Sequence, residues 1–226
     1  MPCAFAILGA YTFLPPLIDG LVARSLQDGL GLVDAPRVDL ESDPAPGVIL
    51  GEFQGGEVTL ADPDLGGVRP DEVSVNLDPF DLDVPGSVAN GRIESKGPLS
   101  GTFRAELSEE EVARITTSSN TAVTPVKSVR LGEGYAVLGS EAEVWGTRVP
   151  IDVEGDVDLG DGELRFVPER LELLGAPLPG RLSRELLGGM SFSYPIVLPF
   201  DGEVTTLEVH EGRLVIGGEA RDLPLG

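Results

Sequence analysis

From Val38 onward the chain alternates apolar and polar residues with a period of two. Val38 and Leu40 alternate with Asp39 and Glu41, and Val58 and Leu60 follow Glu57. Val73, Val75 and Leu77 alternate with Ser74 and Asn76; Phe103, Ala105 and Leu107 with Arg104 and Glu106. The longest run takes Val149, Ile151, Val153, Val157 and Leu159 on one face and Asp152, Glu154, Asp156 and Asp158 on the other. Leu164 with Phe166, Leu171 with Leu173, Leu207 with Val209, and Leu214 with Ile216 continue it. Side chains of a strand point to opposite faces in turn, so each segment predicts a strand with one apolar and one wet face. Many such segments joined by turns predict an antiparallel sheet covered on one side only.

The period is helical before Gly31. Leu14, Ile18, Leu21, Val22, Leu26 and Leu30 fall on one face, and Asp19, Arg24, Gln27 and Asp28 fall largely elsewhere. This predicts an amphipathic helix over 16–30, with Pro15 and Pro16 in its first turn, where their missing N–H groups cost nothing, and Gly29 and Gly31 at its end. Two short helices are expected inside the strand region. Ser108 to Glu111 has the form of a capping box, opening a helix through Ile115. Leu182 and Leu186 lie one turn apart in 181–187, and Gly188-Gly189 stops that helix. The Ser/Thr-rich stretch 116–124 reads as a loop. The expected class is α+β.

No charge occurs from Met1 to Ile18. The uninterrupted apolar part is shorter than the roughly 20 residues that a bilayer span needs, and it lacks the basic region of a secretory signal. It reads either as the end of an anchor or signal that begins upstream or as a buried helix. Length favours the first for residues 1–14. No linker long enough to separate two domains follows, so 15–226 are read as one domain.

Composition narrows the partners. The 226 residues include 41% hydrophobic residues, enough for a core, but only 5% aromatic ones, so Val, Leu and Ile must build it. The formal net charge is −22, and Lys96 and Lys127 are the only lysines. Such a surface repels phosphate backbones and excludes nucleic acid as a partner. It also repels anionic membranes at long range, so membrane contact would have to be apolar or anchored. The single cysteine, Cys3, excludes an intramolecular disulfide and a cysteine metal cluster.

Catalytic sets are missing from the pattern. The single histidine, His210, sits at a strand end before a turn, with no G-x-S-x-G elbow to support a triad. The acidic run from Asp152 to Glu163 places Val157 where a calcium loop requires glycine, and its alternation with valines assigns the acids to the wet face of a strand pair. Asp78 to Asp83 reads as an acidic turn. No glycine-rich phosphate loop follows a strand. No catalytic residue, metal ligand or cofactor is therefore assigned. A hydrolase built on His210 and scattered acids is the weaker enzymatic alternative.

Several of these segments together resemble one family. They are the apolar N-terminus leading into an amphipathic helix, Val38 to Glu41, Val48 to Phe53, Glu57 to Leu60, Leu99 to Ser108, Gly162 to Glu169, Leu178 to Gly180 and Glu211 to Asp222. The chain from about Leu14 onward resembles the LmeA family of phospholipid-binding envelope proteins, most closely after Gly162. The resemblance implies a fold similar to the tubular lipid-binding superfamily, with a long helix packed in a strongly curved antiparallel sheet and acyl chains in the gap. It also implies an extracytoplasmic place in the cell envelope, with membrane association through the N-terminus. The expected function is then non-enzymatic binding or transfer of a phospholipid or other acyl lipid. Ile18, Leu21, Val22 and Leu26 are the expected lipid-lining residues, their alternative role being to close a solid core. A second expectation is a structural or regulatory partner of an envelope glycosyltransferase in lipoglycan maturation.

Overall fold

The computed structural model describes residues 2–42, 50–65, 67–118, 126–144, 147–160, 162–173, 175–177 and 192–224. The helix expected over 181–187 and most of the Ser/Thr-rich stretch lie outside them.

The chain opens with helix α1 (Pro2–Leu30), followed by β1 (Arg37–Glu41), β2 (Glu52–Phe53), β3 (Gly55–Ala61), β4 (Glu72–Leu77) and β5 (Phe80–Asp81). Helix α2 (Val84–Asn90), β6 (Gly101–Ser108) and helix α3 (Glu109–Ser118) come next. Among the described residues that follow, the elements are β7 (Ser128–Leu131), β8 (Ala136–Val144), β9 (Thr147–Gly160), β10 (Glu163–Leu173), β11 (Ala176–Pro177), β12 (Phe192–Pro195), β13 (Asp201–His210) and β14 (Arg213–Arg221). The class is α+β, as the alternation predicts.

The helix expected to begin at Pro16 runs from Pro2. A proline removes the hydrogen bond to the carbonyl four residues before it, but its fixed φ near −65° is itself helical, so the path continues through Pro15 and Pro16. The C-terminus behaves as expected. Gly31 adopts φ +67°, and Leu32 N–H reaches back to Gln27 O at 2.9 Å, a Schellman closure that residues with a Cβ adopt at a cost. On its inner stripe Ile18, Val22, Ser25 and Leu26 are buried, and Leu21 and Leu30 are half-buried. This is the i, i+4, i+7, i+8 spacing of one helical face.

Among the described residues every strand pairing is antiparallel, and the strands divide into two large sheets. Sheet 1 has the order β1-β3-β4-β6-β14-β13, and sheet 2 the order β11-β10-β9-β8-β7 with β12 also on β10; β2 and β5 form a separate pair. Register carries one apolar face across sheet 1. Val38 lies opposite Val58, Val58 opposite Val75, Val75 opposite Phe103, and Leu107 opposite Leu214. The other face holds Glu57, Asn76, Arg104 and Glu219, all exposed. In sheet 2 a β-bulge at Pro168/Arg170 keeps Phe166 and Leu171 on one face although they are an odd number apart. Gly155 of β9 makes room for that face: a Cβ there would sit 2.8 Å from the Phe166 ring and 2.4 Å from Val167 O.

The two inner faces and the helices share one core. Backbone hydrogen bonds tie the sheets at one end, where Gly134 N–H donates to Val209 O (2.9 Å) and Gly212 N–H to Leu131 O (3.0 Å). Helix α2 was not expected. The acidic stretch read as a turn instead contains β5 and the cap of this helix, where Asp83 accepts from Gly86 N–H and Gly91 closes the end at φ +66°.

One carboxylate of α1 faces β1. Asp19 is half-buried, and burial, reinforced by Asp39, raises its pKa to about 6, although Leu40 N–H donates to it. The folded state then holds a proton that the unfolded carboxylate, near 3.8, releases. Its charge therefore opposes folding above pH 6, and the penalty disappears as pH falls from 6 to 4. Asp19→Asn is expected to raise Tm at pH 8 by roughly 2 °C, an effect limited by solvent screening. The gap should close by pH 4 in paired thermal melts; a gap that widens on acidification would contradict this assignment.

Candidate functional site

An apolar cavity lies where α3 packs between the sheets. Sheet 1 contributes Leu107 and Leu214. Sheet 2 contributes Leu131, Ala136, Leu138, Val157, Leu164, Phe166 and Tyr194, and α3 contributes Val112, Ile115 and Thr116. The cavity measures about 50 Å³. Thr116 turns its hydroxyl onto its own helix, donating to Val112 O at 2.7 Å, and so leaves its methyl group for the lining. Such a space suits hydrocarbon and disfavours water, which needs two or more polar partners. It is about a third of the roughly 150 Å³ that takes a benzene in an engineered apolar cavity. Admitting an acyl chain therefore requires α3 or a sheet to move outward.

Helix α3 is held over the cavity by side chains rather than by a continuous sheet. Glu109 Oε1 accepts from Leu131 N–H at 2.7 Å, fixing the N-terminus of the helix to β7. Glu111 is buried, and its Oε1 accepts from Arg69 N–H at 2.6 Å. Arg114 closes on the same carboxylate through Nε to Oε2 at 2.7 Å and through Nη2 to Oε1, and Nη2 also donates to Gly67 O. The Arg114 hydrogen bond, followed by the Arg69 N–H, holds the Glu111 carboxyl below its usual range against the opposing effect of burial. The 64–69 segment is fixed in turn: Asp64 accepts from Gly67 N–H at 2.9 Å and from the Arg69 guanidinium at 3.2 Å. Glu111, which the sequence pattern assigns to a capping box, is thus engaged by the loop between β3 and β4. A buried carboxylate is better satisfied by a guanidinium and a distant amide than by a backbone amide of its own first turn.

The four residues expected to line a lipid slot lie together on α1, away from this cavity. Ile18 and Val22 are fully enclosed, Leu26 is 2% exposed, and Leu21 is half-buried against the same core. Leu26 borders a second gap of about 20 Å³, with Leu30, Val58, Leu60, Val73, Val75 and Phe200. The residues that line the larger cavity were legible only in part. Val112, Ile115 and Thr116 have the i, i+3, i+4 spacing of a buried stripe, but nothing in that spacing names two sheets as its neighbours.

The other candidates take ordinary places. His210 Nδ1 lies 3.3 Å from Glu133 and Nε2 3.3 Å from Glu208, at the strand end where the pattern put it. Within the acidic run, Asp152 pairs with Arg130 at 3.0 Å and Glu154 with Arg170, both on the outer face of the β9–β10 ladder. Extended backbone sends alternate side chains to opposite faces and cannot wrap an ion with successive acids. Among the described residues no group of three or more potential ligands could hold a metal ion, and no helix is long and apolar enough to cross a membrane. Cys3 lies within α1.

Compared with known proteins, residues 9–219 match a family model described as LmeA-like phospholipid-binding. Neither the curated proteins nor the solved structures include a match to the chain.

Proposed function

The chain belongs to the LmeA-like phospholipid-binding family, and on that premise we propose that it binds a phospholipid, or a related acyl lipid, without catalysis. The acyl portion lodges between α3 and the inner faces of the two sheets. The observation that carries this reading is the apolar space under α3, walled by aliphatic and aromatic side chains from both sheets. The walls come from two sheets, where the resemblance implies a single strongly curved one. Opening along α3 breaks a few side-chain hydrogen bonds and no sheet ladder. Each acyl CH₂ buried there contributes about 0.8 kcal/mol, so roughly ten methylenes correspond to micromolar binding before ordering costs are counted. With lipid as cargo, the place of action we propose is outside the cytoplasmic membrane, and release to an acceptor membrane completes a transfer cycle.

Two substitutions separate this site from the slot expected beside α1. Val112→Trp fills the cavity from α3, and Leu30→Trp fills the small gap under α1; both residues are half-buried, so neither change starts from a sealed position. Lipid carried after incubation with vesicles, counted by native mass spectrometry, is expected to drop at least tenfold for Val112→Trp and by less than twofold for Leu30→Trp. The reverse order would return the slot to α1. A wild-type protein that emerges from vesicles without lipid would refute the reading as a whole.

A further inference from the structure

The hydrogen bonds Gly134–Val209 and Gly212–Leu131 tie the two sheets together beside the C-terminal end of β13. The N-terminal end of the same strand is different. There the segment 196–200 carries the chain from β12 of sheet 2 to β13 of sheet 1 and borders an open recess of about 360 Å³. Ile196, Leu198, Phe200 and Val204 supply apolar lining, and the exposed Asp201 and Glu203 supply polar lining. Val197, also part of the lining, is 79% exposed and so puts an apolar side chain at the lip. Both walls continue from this recess toward the cavity under α3. On sheet 2, Leu164 lies opposite Tyr194, and both line the cavity. Ile196 follows Tyr194 by two residues, the spacing that returns a strand side chain to the same face. Its N–H donates to Gly162 O at 3.1 Å and so extends the β10–β12 ladder to the recess. On sheet 1, Val204 lines the recess, Leu207 is half-buried against the core, and Val209 is buried opposite Leu214 of the cavity wall. The register shift between Val204 and Thr206 keeps Val204 and Leu207 on one face although they are an odd number apart. Phe200 also borders the small gap under α1, but its ring is packed edge-on against Phe103, with 5.4 Å between centroids, and fills that direction.

We infer that this recess is the mouth of the lipid site: the acyl chain enters between segment 196–200 and β13, and its methyl end advances along the two inner faces to the space under α3. The head group stays in water at the rim, where Asp201 and Glu203 stand. Continuity of the apolar walls names the occupant, since a recess that leads into a dry apolar space suits a long hydrocarbon chain rather than a compact polar solute. The inference rests on the acyl site proposed above. It adds an entrance and a direction for the chain, neither of which that site alone requires.

The test uses the full chain and phosphatidylcholine vesicles, because a zwitterionic head group is not opposed by the net charge of −22. Two photoreactive forms of the lipid carry a diazirine on one acyl chain, either beside the ester or at the methyl end. After loading and irradiation, labelled peptides are mapped by mass spectrometry. The ester-side probe is expected to label 196–204, and the methyl-end probe 107–116 or 131–138. Ester-side labelling of 64–69 or α3, with none on 196–204, would overturn the entrance and leave the acyl site standing. Methyl-end labelling of α1, with none on the walls of the cavity, would remove the acyl site itself. A variant adds the kinetics. Val204→Trp narrows the recess from a half-buried position and should slow both uptake and release about fivefold, whereas Val112→Trp lowers the amount of lipid held. Unchanged rates in folded Val204→Trp would overturn the entrance; where that variant fails to fold, labelling of the wild-type protein decides.

Discussion

Phe166→Ala is expected to destabilise the lipid-free protein by about 3–5 kcal/mol, the range for deleting a buried phenyl group from a core that relaxes only in part. For a chain of this length that corresponds to a fall in Tm of roughly 6–20 °C. The ring is 2% exposed, lines the cavity under α3, and sits over Gly155, which makes room for it. Its removal leaves both a lost transfer term and a larger void beside an existing one. The void has a second consequence if acyl chains enter there: a ligand that fills it stabilises the folded state by mass action. Equilibrium denaturation with and without bound lipid should therefore show a smaller deficit for Phe166→Ala in the loaded protein. A deficit under 1 kcal/mol in the lipid-free protein would mean that the ring is not part of the packed core.

Ile18→Ala is expected to cost about 2–5 kcal/mol for the same reason, at the buried face of α1. Ile18 is completely enclosed, and with Val22 and Leu26 it docks α1 on the core. The measurement distinguishes the two roles open to this face. A residue that seals a core loses stability on truncation while lipid uptake per folded molecule stays the same. A residue that lines a lipid slot loses uptake at little cost to the empty protein. The first outcome is expected, because the gap beside α1 measures only about 20 Å³ and touches Leu26 rather than Ile18.

The alternation along the chain specified most of the strands that the structure contains. Val73 to Leu77, Phe103 to Leu107 and Val149 to Leu159 each lie in a strand with the expected face inward. The strands it did not mark are those where one face is small or the element is very short. In β8 the inner positions are Ala136, Leu138 and Ser140, which read weakly beside a Val or Ile run. In β5 only Phe80 and Asp81 pair. Helix α2 escaped because Asp83, its cap, sits in an acidic stretch where three aspartates compete for a turn reading.

The site shows a different limit. Ser108 to Glu111 signals a helix start, and a helix does start there, but the box itself does not form, because Glu111 turns to Arg69 and Arg114. A local pattern states which groups need partners; it does not exclude a better partner from another part of the chain. Arg69 lies 42 residues from Glu111. The same applies to α1: its apolar stripe was legible and is buried, but whether a stripe meets solid core or a gap depends on side chains contributed from elsewhere.

What the sequence alone determined about this protein is the class of each segment and the side it hides. Period two or period 3.6 is a property of neighbouring residues, and burying an apolar face is enforced wherever that face ends up. It also determined the excess of acidic over basic residues. Only the tertiary structure decided that the strands part into two sheets, that α3 lies over the larger of the two apolar gaps, and that Glu111 is held by Arg69 and Arg114. Those outcomes depend on register, on a β-bulge at Pro168/Arg170 and on contacts between residues far apart in the chain, and periodicity carries no information about which faces are to meet.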